Sequence, residues 1–195
     1  DWITSRGLGD VYKRQEAFRV VCSSDKITVF TPIVKTTLFA LHLLKQIFDS
    51  SEEAIPCFEI NDRPILRRRA FMLDVSRCKV PTMDSVFELI DLLCLLRFNE
   101  IQLYIEHTFA FQNHQEVWEE FSPFTGEEIR QIDHYCKKRF IELVPNLNSF
   151  GHFERWLRHE PYKKLAECPE GFQRDEPFMI RNHGSVLKPN QESLA

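Results

Sequence analysis

The chain lacks the features that mark several large classes of protein. No stretch of its 195 residues is long and apolar enough to span a bilayer. It has no excess of positive charge. A net charge of −4 argues against a nucleic-acid surface, where clustered Lys and Arg must neutralise phosphates. No membrane or nucleic-acid partner is therefore expected. The basic run Arg67-Arg68-Arg69 leads straight into an apolar segment and reads as a solvated strand entry. Cys22, Cys57, Cys78, Cys94, Cys136 and Cys168 include no CxxC pair, so neither a zinc knuckle nor a disulfide framework is indicated. Cys94 and Cys136 fall in helical patterns, where a thiol behaves as a small hydrophobe. This scatter leans towards a reducing compartment such as the cytoplasm. The pairs Cys78/His107 and His134/Cys136 lack metal-ligand spacing, and no metal is expected. No GxGxxG follows the first strand of the strand–helix region, which weakens a dinucleotide reading, and no cofactor is expected. The 43% hydrophobic content is that of an ordinary globular protein.

Two ends of the chain are set apart. Residues 5–15, S-R-G-L-G-D-V-Y-K-R-Q, look like the in-frame translation of a sequencing adapter, so residues 1–15 are excluded from the fold. The last residues resemble a first helical turn with Asn190 as N-cap. A piece of a longer reading frame is expected.

Residues 16–64 read as a small α+β unit. Phe18, Val20 and Cys22 alternate with polar neighbours, as do Ile27 and Val29, which predicts two strands. Residues 38–48 predict a helix facing inward through Leu38, Leu41, Leu44 and Ile47. A short strand over 57–60 and a turn over 61–64 follow.

From residue 65 the rhythm becomes strand, helix, strand, helix, strand. Strands are predicted over 69–75 and 100–106, with a third opening at Ile141 and closed by Pro145, which cannot donate to a central ladder. Thr82 should cap the first helix, whose buried face is Val86, Phe87, Ile90, Leu93 and Cys94. Thr125 and Glu128 form a capping box for the second, with Ile129, Ile132, Cys136 and Phe140 on one face. Such alternation implies parallel pairing with right-handed crossovers. Three units alone do not separate an open sheet from a closed barrel.

Each strand delivers polar groups at its carboxyl end, where parallel α/β folds build sites. The first ends in Asp74 and Arg77, the second in Glu106 and His107. Asn146, Asn148 and His152 follow the third.

The segments R-A-F-M-L-D-V-S-R (69–77), N-E-I-Q-L-Y-I-E-H (99–107) and V-P-N-L-N-S-F-G-H (144–152) come in a definite order. Together they resemble the start of the catalytic barrel of glycoside hydrolase family 20, the β-N-acetylhexosaminidases. The resemblance implies a truncated (β/α)8 TIM barrel, its first three strands within residues 65–195, preceded by the remnant of a small α+β domain. It implies a substrate carrying terminal β-linked N-acetylhexosamine, hydrolysed with retention by the sugar's own acetamido group. The family's catalytic Asp-Glu pair ends the fourth strand, beyond residue 195. Carried over by position, Arg69 would hydrogen-bond sugar hydroxyls. Asp74 and Arg77 would line the barrel mouth, or pair with each other to brace the first loop. His152 would support the catalytic acid with Glu106 as its carboxylate partner, and His107 falls on the first of two family aspartates. Asn146 and Asn148 stand where the family has acids, and Gln102 and Tyr104 where it has histidines. Trp118, in an aromatic loop over 108–124, is a candidate sugar platform; the alternative is a loop that folds its aromatics into a core of their own. A sugar-binding barrel without catalysis, or a barrel glycosidase with two protein carboxylates, stays open beside this reading.

Overall fold

The computed structural model describes residues 16–51, 54–173 and 180–191. The adapter-like segment 1–15 and most of the expected turn after Asn190 lie outside the described residues.

The first sheet contains β1 (Phe18–Cys22), β2 (Ile27–Phe30) and β3 (Phe58–Asp62), antiparallel in the order β2-β1-β3. Helix α1 (Val34–Asp49) covers it. Phe18 and Val20 of β1 pack with Phe39, Ala40 and Leu44 of the helix. The expected helical face is partly wrong. Leu41 is 54% exposed, and the buried positions are Thr36, Phe39, Ala40 and Leu44. A strict spacing of three drifts by about 60° per step around a helix of 3.6 residues per turn, so it cannot stay on one face. Asn61 and Asp62, expected in a turn, extend β3 by pairing with Arg19 and Phe18. They cover the edge of β1 that faces away from β2, whose backbone groups need partners.

The second sheet is parallel, in the order β4-β5-β6: β4 (Ala70–Asp74), β5 (Glu100–Ile105) and β6 (Glu142–Leu147). Helix α2 (Met83–Leu95) follows β4; α3 (Gln115–Trp118) and α4 (Gly126–Lys137) follow β5. Thr82 Oγ1 accepts from Ser85 N–H, and the Thr125–Glu128 capping box is complete. Both long helices end alike. Arg97 and Phe140 take left-handed backbone at φ 62° and 57°. Phe98 N–H and Ile141 N–H then reach back to the Leu93 and Cys136 carbonyls, the six-to-one bond of a Schellman motif. This turns Phe140 off the helix, so it is not part of the α4 face as expected.

Period-two alternation splits the sheet into two faces. Val75, Ile101, Leu103 and Ile105 are buried against Val86, Ile90, Leu93 and Cys94 of α2 and Ile132 and Cys136 of α4. The opposite face carries Met72, Gln102 and Val144 at one level and Asp74, Tyr104 and Asn146 at the next. Met72 there is 55% exposed.

Pro145 does not close β6; it sits within it, opposite Leu103. Glu142 N–H donates to Asn99 O and Asn148 N–H to Ile105 O. Even positions therefore bond to β5, and the Pro145 nitrogen faces away, where its missing proton costs this ladder nothing. Beyond β6 come α5 (Glu154–Leu157), α6 (Glu160–Lys163) and the pair β7 (Phe172–Gln173) and β8 (Ile180–Arg181).

Candidate functional site

A polar cluster forms at the carboxyl ends of the three parallel strands. Asp74 ends β4 and accepts from the Ser76 and Arg77 backbone N–H groups at 2.9 and 3.1 Å. Burial would raise its pKa, but these bonds and the Arg77 guanidinium, which also bonds its side chain, bring it below the usual carboxylate range. The other end of that guanidinium reaches Glu106 Oε1 at 3.0 Å and His152 Nδ1 at 3.1 Å. Tyr104 OH donates to the same Glu106 oxygen at 2.9 Å. Burial, then that bond to a carboxylate, push the Tyr104 pKa up. Glu106 is 7% exposed. Its backbone is fixed as well: its N–H donates to Ser76 Oγ at 2.7 Å, and its carbonyl accepts from Trp156 Nε1 at 2.7 Å. Two carboxylates, one arginine, one phenol and one imidazole thus converge on a surface open to solvent through His152.

His152 has left-handed backbone at φ 55°, a conformation that costs a residue with a Cβ and persists only when its surroundings hold it. Here a strap does so. Leu187 N–H donates to Phe150 O, and Phe153 N–H to Ser185 O, both at 3.0 Å, on either side of Gly151-His152.

A family model, "Glycosyl hydrolase family 20, catalytic domain", matches residues 67–195. The chain belongs to glycosyl hydrolase family 20. The β-hexosaminidase subunit A1 of Dictyostelium discoideum is 27% identical over 125 residues, which is 60% of this chain and 23% of the relative. The β-hexosaminidase of Akkermansia muciniphila is 24% identical over 136 residues, 59% of this chain and 27% of the relative. The chain thus spans about a quarter of the length of these relatives. Among solved structures, a β-N-acetylhexosaminidase superposes with TM-score 0.74 at 19% identity, covering 92% of this chain and 42% of that one. A mutant Streptomyces plicatus β-hexosaminidase in complex with GlcNAc superposes with TM-score 0.72 at 18% identity, covering 92% and 40%. The α/β fold is that of the family 20 structures.

Several residues do not stand where the resemblance put them. Arg69 lies at the amino end of β4, opposite the cluster. Its guanidinium donates to Glu16 at 2.5 Å and to the Leu66 and Arg97 carbonyls at 2.6 Å. Here it ties the two sheets together, away from the cluster at the carboxyl ends of the strands. Period two puts Arg68 instead on the inner face, paired with buried Glu100. His107 is one residue from Glu106 and so points the other way. It is 2% exposed and lies edge-on to Phe121 with ring centroids 4.2 Å apart. Burial, then Arg155 and Arg158, depress its pKa to about 4. It packs in the core, away from the polar cluster.

Trp118 is likewise turned inward, donating to Phe111 O at 3.0 Å. Loop residues Phe111 and His114 pack instead with residues from outside the loop: with Phe153 and Tyr162 they stack on or edge against Trp156 at 5.1–5.5 Å. Asn146 faces inward, but its amide donates to Gln102 Oε1 at 3.2 Å. Asn148 continues the β6 ladder through its backbone, and its buried Nδ2 has no protein partner. Tyr104, Ser76 and the 185–187 strap were missed. Tyr104 was legible: two residues before Glu106 on a strand, it must share that face. The strap is a contact of distant chain with no local signal. Among the described residues no group of three potential metal ligands forms.

Proposed function

We propose that this chain is the amino-terminal part of a family 20 glycosidase that removes terminal β-linked N-acetylhexosamine from glycans or glycosides, with retention and with the substrate's acetamido group as nucleophile. Strands β4, β5 and β6 are the first three of an eight-stranded barrel. Residues 16–64 belong to a preceding α+β domain and 65–195 to the barrel. The catalytic Asp-Glu pair follows on the next strand. The observation that carries this reading is the Glu106–Arg77–His152 cluster at the carboxyl ends of parallel strands, where such barrels place their chemistry. An apolar groove of 440 Å³ along Leu143, Pro145, Leu147 and Ile129 supports the barrel: it is a seat for the next helix of the ring.

In this mechanism the pair beyond residue 195 orients the acetamido group and protonates the leaving oxygen. His152 lies beside the acid and supplies a hydrogen bond to it, and Arg77, itself paired with Glu106, holds His152. Asp74 braces Arg77.

The test is to recover the complete gene, read the codons after Ala195, and assay the intact protein on chromogenic N-acetylglucosaminide. An Asp-Glu pair closing the next strand, with chromophore release, establishes the reading. A strand without that pair refutes catalysis and leaves a sugar-binding barrel. Turnover that does not need the acetamido group indicates a glycosidase with two protein carboxylates.

A further inference from the structure

The Arg77 guanidinium has both terminal nitrogens committed. One bonds Asp74, which is itself fixed by two backbone N–H groups. The other sits 3.0 Å from Glu106 Oε1, 3.1 Å from His152 Nδ1 and 3.4 Å from Tyr104 OH. Its plane also lies over the Tyr104 ring, 5.1 Å from the centroid. A group so held does not swing aside.

A guanidinium only donates. At 3.1 Å the His152 Nδ1 must therefore accept, and an accepting Nδ1 carries no proton. The single proton of the neutral ring is then on Nε2. Glu106 does not compete for Nδ1. Its Oε1 is 3.7 Å away, beyond hydrogen-bond reach, and already accepts from Tyr104 and Arg77. The charged and titratable groups facing the imidazole are Arg77 from the turn after β4, Tyr104 from β5 and Glu106 just past it, with Asp74 at the end of β4 behind Arg77. Arg77 Nη2 is the nearer neighbour of the ring, at 3.1 Å against 3.7 Å for Glu106 Oε1.

We propose that Arg77 is a positioning residue that fixes His152 in the Nε2–H tautomer. His152 then meets the reacting centre as a hydrogen-bond donor through Nε2, and Arg77 rather than an imidazolium is the cation paired with Glu106. The consequence for catalysis rests on the hexosaminidase reading; the tautomer itself does not. Two features support the assignment. The strap at 185–187 holds the backbone on either side of His152, which sets where its ring starts. Tyr104 OH and Arg77 both donate to Glu106 Oε1, which leaves that oxygen already paired and 3.7 Å from Nδ1.

The tautomer is read directly from long-range proton–nitrogen NMR of the intact protein with ring-labelled histidine, the His152 signals being assigned by their loss in His152→Gln. The expected result is an unprotonated Nδ1 and a protonated Nε2 at neutral pH. In Arg77→Met the pattern reverses, because Glu106, relieved of its guanidinium partner and holding only the Tyr104 bond, then accepts from Nδ1–H. A wild-type Nδ1 that carries the proton overturns the proposal. So does a folded Arg77→Met protein whose tautomer is unchanged. If that variant does not fold, the wild-type spectrum decides alone. Failure of the hexosaminidase reading would show in turnover and leave these spectra as they are.

Discussion

His107 makes the stability of this protein depend on pH in a defined window. The ring is 2% exposed, and its Nδ1 has no hydrogen-bond partner. Burial, then the cations Arg155 and Arg158, lower its pKa from 6.5 to about 4. The unfolded chain therefore takes up a proton at a pH where the folded chain does not. Between pH 6.5 and 4 the unfolded state binds more protons, so stability falls as pH falls through that window. With those two pKa values, the loss from pH 7.5 to pH 5 is about 2 kcal/mol, with a limiting slope of about 1.4 kcal/mol per pH unit. His107→Leu removes both the titration and the orphaned nitrogen while roughly keeping the volume. Urea unfolding of the two proteins at pH 5 and 7.5 isolates the effect, since carboxylates common to both cancel in the difference. The variant should gain about 2 kcal/mol on the wild type at pH 5 relative to pH 7.5. Equal pH dependence in the two proteins would refute the reasoning, because it would mean that His107 is hydrated or paired in the folded state.

Two further outcomes follow from packing and pairing. A Cβ at Gly184 would lie 2.5 Å from Ala166 Cβ and 2.9 Å from the Cys168 carbonyl oxygen, so Gly184→Ala should cost about 1–3 kcal/mol through overpacking and lower the melting temperature; an unchanged melting temperature means that the strap shifts freely. Burial would raise the Glu16 pKa, but Lys35 and Arg69 bring it below its ordinary value. Arg69→Met should then cost about 1–3 kcal/mol in urea unfolding while leaving affinity for GlcNAc, measured by calorimetry on the intact protein, within about twofold; loss of affinity at full stability would restore Arg69 to the sugar site.

The residues that were legible in the sequence are those whose role is local. Thr82 and the Thr125–Glu128 box announce their helices because a cap acts within one turn. Val86, Ile90 and Leu93 announce their face because 3.6-residue periodicity is intrinsic to the helix. The order of three strand ends, Asp74, Glu106 and His152, was enough for the family resemblance, and the family model bears it out over residues 67–195. Where the reading failed, a partner distant in sequence decided. Arg69 and Arg68 are neighbours just before β4, yet only the pairing partners Glu16 and Glu100 show which way each turns. Glu106 and His107 are adjacent in the chain and belong to opposite faces of the sheet, one in the polar cluster and one in the core. Pro145 could stay within β6 because its nitrogen faces away from β5, which depends on the register. Sequence alone therefore determined the helices, the parallel alternation and the polar strand ends, since those follow from short-range periodicity. The tertiary structure alone decided which polar groups meet, because a strand shows its side chains to both faces and only the packing of α2 and α4 on one of them fixes which face carries the site.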